Sequence, residues 1–364
     1  TTGSMIELHN VDCLEFMKGM DANSVDAIVT DPPYFGVKDD DWDNQWKSAA
    51  HFIEWIGELS EQWQRILRPN GSLYCFASPK MAARVEVKIG ERFNVLNSIR
   101  WEKPLDNSER RHVAQIAEKD LSRSFYPSGE RIIFAEPFGS DQEAVTGAGY
   151  EAACQQLCRR IFQVGPLAEK EGVSRALIAQ LIAADYKNID SAKAQASNWI
   201  LGKNIPNEVD FLRLKTVLPI VGEWSDLRRE YEDLRREYED LRREYEELRR
   251  PFNVTADVPY TDVWTFKTVQ AYEGKHVCEK PLALMEHIIL ASTRPNALVF
   301  DPFTGSGSTG VAAVMNGRRF IGCEKDKGHF ENALRRIRKH QSAPRLFAPE
   351  PTPLPQQLTI DPAA

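Results

Sequence analysis

Two short stretches of this chain combine residue types and spacings that can do chemistry. The first, Asp31-Pro32-Pro33-Tyr34, directly follows the β-rich run Val25-Asp-Ala-Ile-Val-Thr. Proline fixes φ and has no N–H, so this corner is rigid and presents acceptors only, the Asp31 carboxylate and the Pro32 carbonyl. A planar exocyclic amino group fits such a corner. The acceptors take its two hydrogens, the aromatic ring stacks on its base, and the nitrogen lone pair is freed to attack an electrophile. A plain strand-to-loop turn reads equally well from these four residues, because Asp-Pro is common turn chemistry. The second stretch, Asp301-Pro-Phe303-Thr304-Gly305-Ser306-Gly307-Ser-Thr-Gly310, follows a strand pattern over 297–300 and opens a helix. It contains G-x-G-x-x-G, and Glu324 ends the next strand nineteen residues after Gly305. Glycines let a backbone approach its ligand and the acid takes ribose hydroxyls, the conditions of a nucleotide-type site.

The elements that must position these residues alternate. Strand patterns over 5–12, 25–31, 72–77, 95–101 and 131–135 are separated by helical spacing over 51–67 and 80–92, the first helix ending at the turn Arg68-Pro69-Asn70-Gly71. The alternation resumes with strands over 297–301 and 319–324 and helices over 308–316 and 328–340. Strands alternating with helices imply a largely parallel sheet covered on both faces. Residues 144–222 are Ala/Gln/Leu-rich and helical; within them 165–182 reads as helix, Gly-containing turn, helix, either a helix-turn-helix unit or two packed helices with a Gly cap.

DLRREYE then occurs three times without change, over 226–232, 233–239 and 240–246, and a fourth copy begins at Glu247. Leucine takes heptad position d and tyrosine position a, the pattern of a coiled coil. Pro251 stops that helix and a Pro-rich tail, expected to be disordered, begins at Pro344. Met5 reads as the native start, after Thr1 to Ser4.

The formal net charge of −7 suggests no nucleic-acid partner, yet it averages unlike regions. Residues 1–60 hold three basic and twelve acidic side chains, whereas 317–345 hold nine basic and three acidic ones. The bulk value therefore excludes little. No apolar run suits a membrane span, and six scattered cysteines suit reduced thiols rather than a disulfide frame. No metal-ligand spacing stands out.

With these motifs in this order, the sequence resembles the amino-group DNA methyltransferases that use S-adenosylmethionine, in the permuted arrangement called the β class. Asn10-Val-Asp12-Cys13, Arg68-Pro-Asn-Gly-Ser72, Trp101-Glu-Lys-Pro104 and His276-Val-Cys-Glu-Lys280-Pro281 add to the likeness, which covers 5–137 and 260–340. The resemblance implies a doubly wound, Rossmann-like α/β sheet with an inserted helical recognition domain and a coiled-coil helix. The expected segments are a catalytic half over 5–137, a target-recognition insert over 138–222, heptads over 223–250, a cofactor half over 251–343 and the tail over 344–364.

Carried over by position, the catalytic corner is Asp31, Pro32, Pro33 and Tyr34: Asp31 and Pro32 would hold the target amino group and Tyr34 would stack on the flipped base. Asp301, Phe303, Thr304, Gly305, Ser306 and Gly307 would line the cofactor, with Glu324 on its ribose, Asp12 and the Cys13 backbone at its adenine, and Lys280 near its carboxylate. The last element usually reads closer to His-Pro-Thr-Gln-Lys-Pro, so His276 is given no role. Asp at the first corner position goes mainly with adenine N6 and Ser with cytosine N4. The expected activity is thus site-specific adenine methylation of double-stranded DNA, with N4-cytosine as the alternative.

Further expectations are a homo-oligomer through 226–250, a possible separate restriction partner, no membrane association and a cytoplasmic, nucleoid-associated place in a bacterial or phage setting. The acidic stretch 38–46 reads as a mobile loop, or as one that closes over the flipped base with Trp42 or Trp46. Competing readings are a nicotinamide dehydrogenase, a non-enzymatic DNA-binding regulator, and a methyltransferase acting on RNA or on protein glutamine.

Overall fold

The computed structural model describes residues 6–36, 45–104, 127–140, 161–253, 261–270 and 278–342. Most of the 38–46 stretch, with Trp42, lies outside them, as do His276 and the Pro-rich tail. The chain opens with β1 (Ile6–His9), α1 (Cys13–Lys18), β2 (Val25–Thr30), α2 (Ala49–Ile66), β3 (Leu67–Ala77), α3 (Ala82–Gly90), β4 (Phe93–Glu102) and β5 (Gly129–Pro137). Helices α4 (Val164–Lys170), α5 (Arg175–Ile182), α6 (Ile189–Ile200), α7 (Glu208–Leu214) and α8 (Trp224–Leu248) follow. It continues with β6 (Val263–Thr265), α9 (Leu282–Ser292), β7 (Leu298–Asp301), α10 (Ser308–Met315), β8 (Arg319–Cys323) and α11 (Lys327–Ser342).

Two compact units result, one from residues 1–140 with 250–364, the other from 141–249. The first is built on a single sheet in the order β1-β8-β7-β2-β3-β5-β4-β6. Strands β1, β8, β7, β2 and β3 run parallel, as the alternating sequence pattern predicts. β5 departs from that pattern and runs antiparallel to both β3 and β4. The reason is topological: the α3 crossover leaves β4 parallel to β3 with one place open between them, and β5 turns back to fill it.

Successive residues of a strand face opposite sides, and here both sides are apolar. Ile28, Leu73, Cys75 and Phe300 pack with Met17, Ile56, Trp63 and Val85 on the α1–α3 face. Their neighbours Val29, Tyr74 and Val299 pack with Leu284, Ile288, Val311 and Ile337 on the α9–α11 face. The sheet is therefore doubly wound. The expected turn at 68–71 instead falls inside β3, where pairing with β2 jumps from Val25–Leu67 to Ala27–Ser72 and the intervening residues loop out.

The second unit is helical. Ile178, Ile182, Trp199, Phe211, Leu214 and Leu227 form its core. Gly172, at φ +66°, turns the chain between α4 and α5, and the Ser174 hydroxyl caps α5 by accepting from Leu177 N–H at 3.2 Å.

Candidate active site

β2 and β7 are hydrogen-bonded neighbours, with Ala27 opposite Val299 and Ile28 opposite Phe300. Asp31 and Asp301, 270 positions apart in the chain, consequently leave the sheet side by side at the carboxyl ends of parallel strands. From this point the chain winds outward both ways, through β8 and β1 on one side and β3 on the other. That is the switch point where open α/β sheets bind their ligands.

The corner is held by a charge cluster centred on one buried lysine. Lys280, only 6% exposed, donates from Nζ to Asp31 Oδ2 and lies 3.3 Å from Glu130 Oε2. Tyr34 Oη donates to Asp31 Oδ1 at 2.8 Å and reaches Glu130 Oε2 at 3.0 Å. Lys103 pairs with the other Glu130 oxygen. The ammonium of Lys280 also sits 5.7 Å from the Tyr34 ring centre and 5.1 Å from that of Phe76. Both Asp31 oxygens thus carry a donor from this chain, and both donors have a second acceptor in Glu130.

Burial pushes the Asp31 carboxyl above its ordinary range; Lys280 pulls against it and Glu130 adds to the rise. Burial would also raise Glu130, but Lys280 and Lys103 outweigh it and hold that carboxyl down at about 2. Lys280 is kept above the usual lysine range by Asp31 and Glu130, against the opposing effect of burial. Burial and the two carboxylates hold the Tyr34 phenol well above its ordinary value, so it stays a donor.

The glycine loop follows β7. Gly305 and Gly307 adopt φ +49° and +79°, and a Cβ at Gly307 would approach Ala333 Cβ at 3.2 Å. Glu324 closes the loop from the end of β8, accepting from Gly305 N–H and Asp326 N–H, each at 2.9 Å. Thr304 is buried and its N–H donates to the Cys323 carbonyl at 2.9 Å. Ser306 Oγ lies 3.0 Å from Ser308 Oγ, and Ser308 Oγ in turn donates to the Lys280 carbonyl at 3.0 Å. Phe303 packs edge-on to Trp55 at 5.6 Å between ring centres.

At the neighbouring strand end Asp12 caps α1 by accepting from Leu14 N–H at 3.0 Å. Its other oxygen lies 3.6 Å from Lys325 Nζ. Cys13 is buried, and burial with the adjacent Asp12 pushes its thiol up to about 12. Such a thiol stays protonated and is no nucleophile.

Asp301 is buried, accepts from Phe303 N–H at 3.1 Å and from the Thr309 hydroxyl at 2.6 Å, and is pushed up to about 7, chiefly by burial. The folded protein therefore holds this proton where the unfolded chain has lost it, so Asp301 makes stability fall as pH rises from about 4 to 7. Asn accepts from Phe303 N–H and donates to the rotatable Thr309 hydroxyl. Denaturant unfolding across this range should accordingly show stability changing with a more positive pH slope for Asp301→Asn than for the native chain; equal slopes would contradict the assignment.

The residues of the two stretches come together at the carboxyl ends of the central strands β2 and β7. Lys280, which the resemblance places near the cofactor carboxylate, has its ammonium against Asp31. Trp46 was a candidate for closing over a base. It is 7% exposed, packed 4.8 Å from the Phe52 and Trp55 rings, and belongs to the core. Glu130 and Lys103 join the site without a role that the sequence motifs assign them. Lys103 lies within the Trp101-Glu-Lys-Pro104 element, which carried no assigned role, and Glu130 sits in no motif, its one signal being an acid at the start of a strand with an apolar centre.

Residues 25–335 match the DNA methylase family N6_N4_Mtase. Among curated proteins, the type II methyltransferase M2.MboI of Moraxella bovis is 36% identical over 358 residues, covering 93% of this chain and 89% of that protein. The DNA adenine methyltransferase YhdJ of Escherichia coli (strain K12) is 26% identical over 342 residues, covering 92% and 84%. Among solved structures, the PvuII DNA methyltransferase, described as cytosine-N4-specific, superposes with a TM-score of 0.51 at 11% identity over 94% of this chain and 88% of that one, a likeness of fold alone.

Proposed function

This chain belongs to the N6/N4 DNA methylase family, and on that premise we propose that it methylates the exocyclic N6 of adenine at a specific site in double-stranded DNA, with S-adenosylmethionine as donor. The observation that carries the reading is the Asp31 corner beside the Asp301 glycine loop on adjacent parallel strands. A dehydrogenase has no use for that corner.

The loop residues fit the cofactor. Gly305 and Gly307 take left-handed backbone that opens close approach, and each Glu324 oxygen makes one hydrogen bond, leaving lone pairs for ribose hydroxyls. Asp301, Phe303, Thr304, Ser306, Asp12 and the Cys13 backbone border the same carboxyl end of the parallel strands. When bound, S-adenosylmethionine supplies an electrophilic sulfonium methyl. The Asp31 carboxylate and Pro32 carbonyl accept the amino hydrogens, Pro33 stiffens the corner, and Tyr34 stacks on a base that leaves the duplex at a cost of a few kcal/mol. Lys280 or the Tyr34 hydroxyl must then give up an Asp31 oxygen, and Glu130, already within reach of both, receives it. Holding the nitrogen in line in a dry pocket is the chain's main contribution to rate.

Residues 138–222 are the proposed DNA-recognition region, and the heptads of 226–250 the proposed oligomerisation element. The names of the type II relatives favour a separate restriction partner. No helix among the described residues is long and apolar enough to cross a membrane; a cytoplasmic place near the nucleoid accords with the DNA substrate.

The test is to incubate the purified chain with duplex DNA and S-adenosylmethionine and to map modified bases. N6-methyladenine in one sequence context is expected. N4-methylcytosine would overturn the adenine reading, and unmodified DNA despite bound cofactor would overturn the function.

A further inference from the structure

The repeat helix α8 has an environment that changes along its length. At its start Leu227 is 7% exposed and joins the core of the helical unit, with Trp224 packed against the same cluster. Beyond it Tyr231, Leu234, Leu241, Tyr245 and Leu248 stay half-exposed along one seam. On the outer face the charges pair within the helix: Asp226 with Arg229 at 2.9 Å, and likewise Asp233 with Arg236 and Asp240 with Arg243, all from position c to position f.

The positions flanking the seam follow a stricter rule. Every e position is Arg (228, 235, 242, 249) and every g position is Glu (223, 230, 237, 244). Arg235 also reaches Glu239 at 3.0 Å along its own helix. In a parallel two-stranded coil each g residue faces the e residue of the next heptad on the other helix, so Glu230 meets Arg235 and Glu244 meets Arg249 of the second copy. An antiparallel coil would set e against e and g against g, Arg on Arg and Glu on Glu along the whole seam. Like charges placed so discriminate against that arrangement.

From this charge pattern we propose that the seam of α8 binds the α8 of a second copy of this chain, parallel and in register. The proposal rests on the oligomerisation reading above and adds partner number and sense. Identical heptads make the surface self-complementary, as a two-fold contact requires. A slip of one heptad keeps the charge match and shortens the overlap, so the in-register pairing buries most.

Three full-length variants test this. In the parallel dimer Tyr245→Cys brings two a-position thiols within disulfide reach. In a fully overlapped antiparallel dimer position 245 lies opposite Leu234, roughly 16 Å along the axis from its own copy. The native chain should show twice its 41.4 kDa mass in solution, and oxidised Tyr245→Cys should run as a cross-linked dimer on a non-reducing gel where the oxidised native chain does not. Arg235→Glu with Arg249→Glu should leave monomers, and mixing them with a Glu230→Arg, Glu244→Arg chain should restore dimers. A monomeric native chain would overturn oligomerisation itself. A native dimer that neither cross-links through position 245 nor responds to the charge reversals would overturn the parallel coil alone.

Discussion

Asp31→Ala is expected to lower the single-turnover rate of methyl transfer by on the order of a hundred- to a thousandfold, the scale for losing one preorganised polar group at a reacting centre. Cofactor affinity, measured by calorimetry, should stay within a few-fold, because the glycine loop and Glu324 are tied to each other and not to Asp31. The fold should survive. Lys280 loses one carboxylate and keeps Glu130 at 3.3 Å, so no buried ammonium is stranded. Asp31→Asn retains one acceptor oxygen in the same place and should lose less. A near-native rate for Asp31→Ala would remove the Asp31 carboxylate from the mechanism.

Lys280→Met should shift the pH dependence of the reaction. In the native site burial raises the Asp31 carboxyl, Lys280 opposes that rise, and Glu130 adds to it. Without the ammonium the opposing influence is gone while burial and Glu130 remain, so Asp31 holds its proton to higher pH. A protonated carboxyl has lost part of its accepting capacity for the amino group. The acid limb of the rate profile therefore moves upward, and neutral-pH activity falls by on the order of tenfold for each unit moved, recovering as pH rises. Stability should fall as well, since two half-buried carboxylates then share the corner with Lys103 and the Tyr34 hydroxyl and without the buried ammonium between them. An acid limb at the native position would show that Lys280 does not govern Asp31.

The sequence by itself determined the local pieces. Prolines at 32 and 33 impose a rigid corner whatever surrounds it, and the glycines at 305 and 307 can take backbone that other residues resist. A strand, a glycine turn and a helix in succession specify a nucleotide-type loop, because each of these depends on interactions between near neighbours in the chain. Strand identity followed likewise from runs of residues apolar on both faces.

Only the tertiary structure decided how the pieces meet. The pairing of β2 with β7 sets Asp31 beside Asp301 across 270 positions, and β5 runs back into a gap that no periodicity announces. The chemistry of Asp31 is set by Lys280 and Glu130, which sit 249 and 99 positions away. Glu130 is one acid among many in the sequence. It acquires a role because burial strips water from the cluster, and in that setting a charge 3 Å away counts for more than any local propensity.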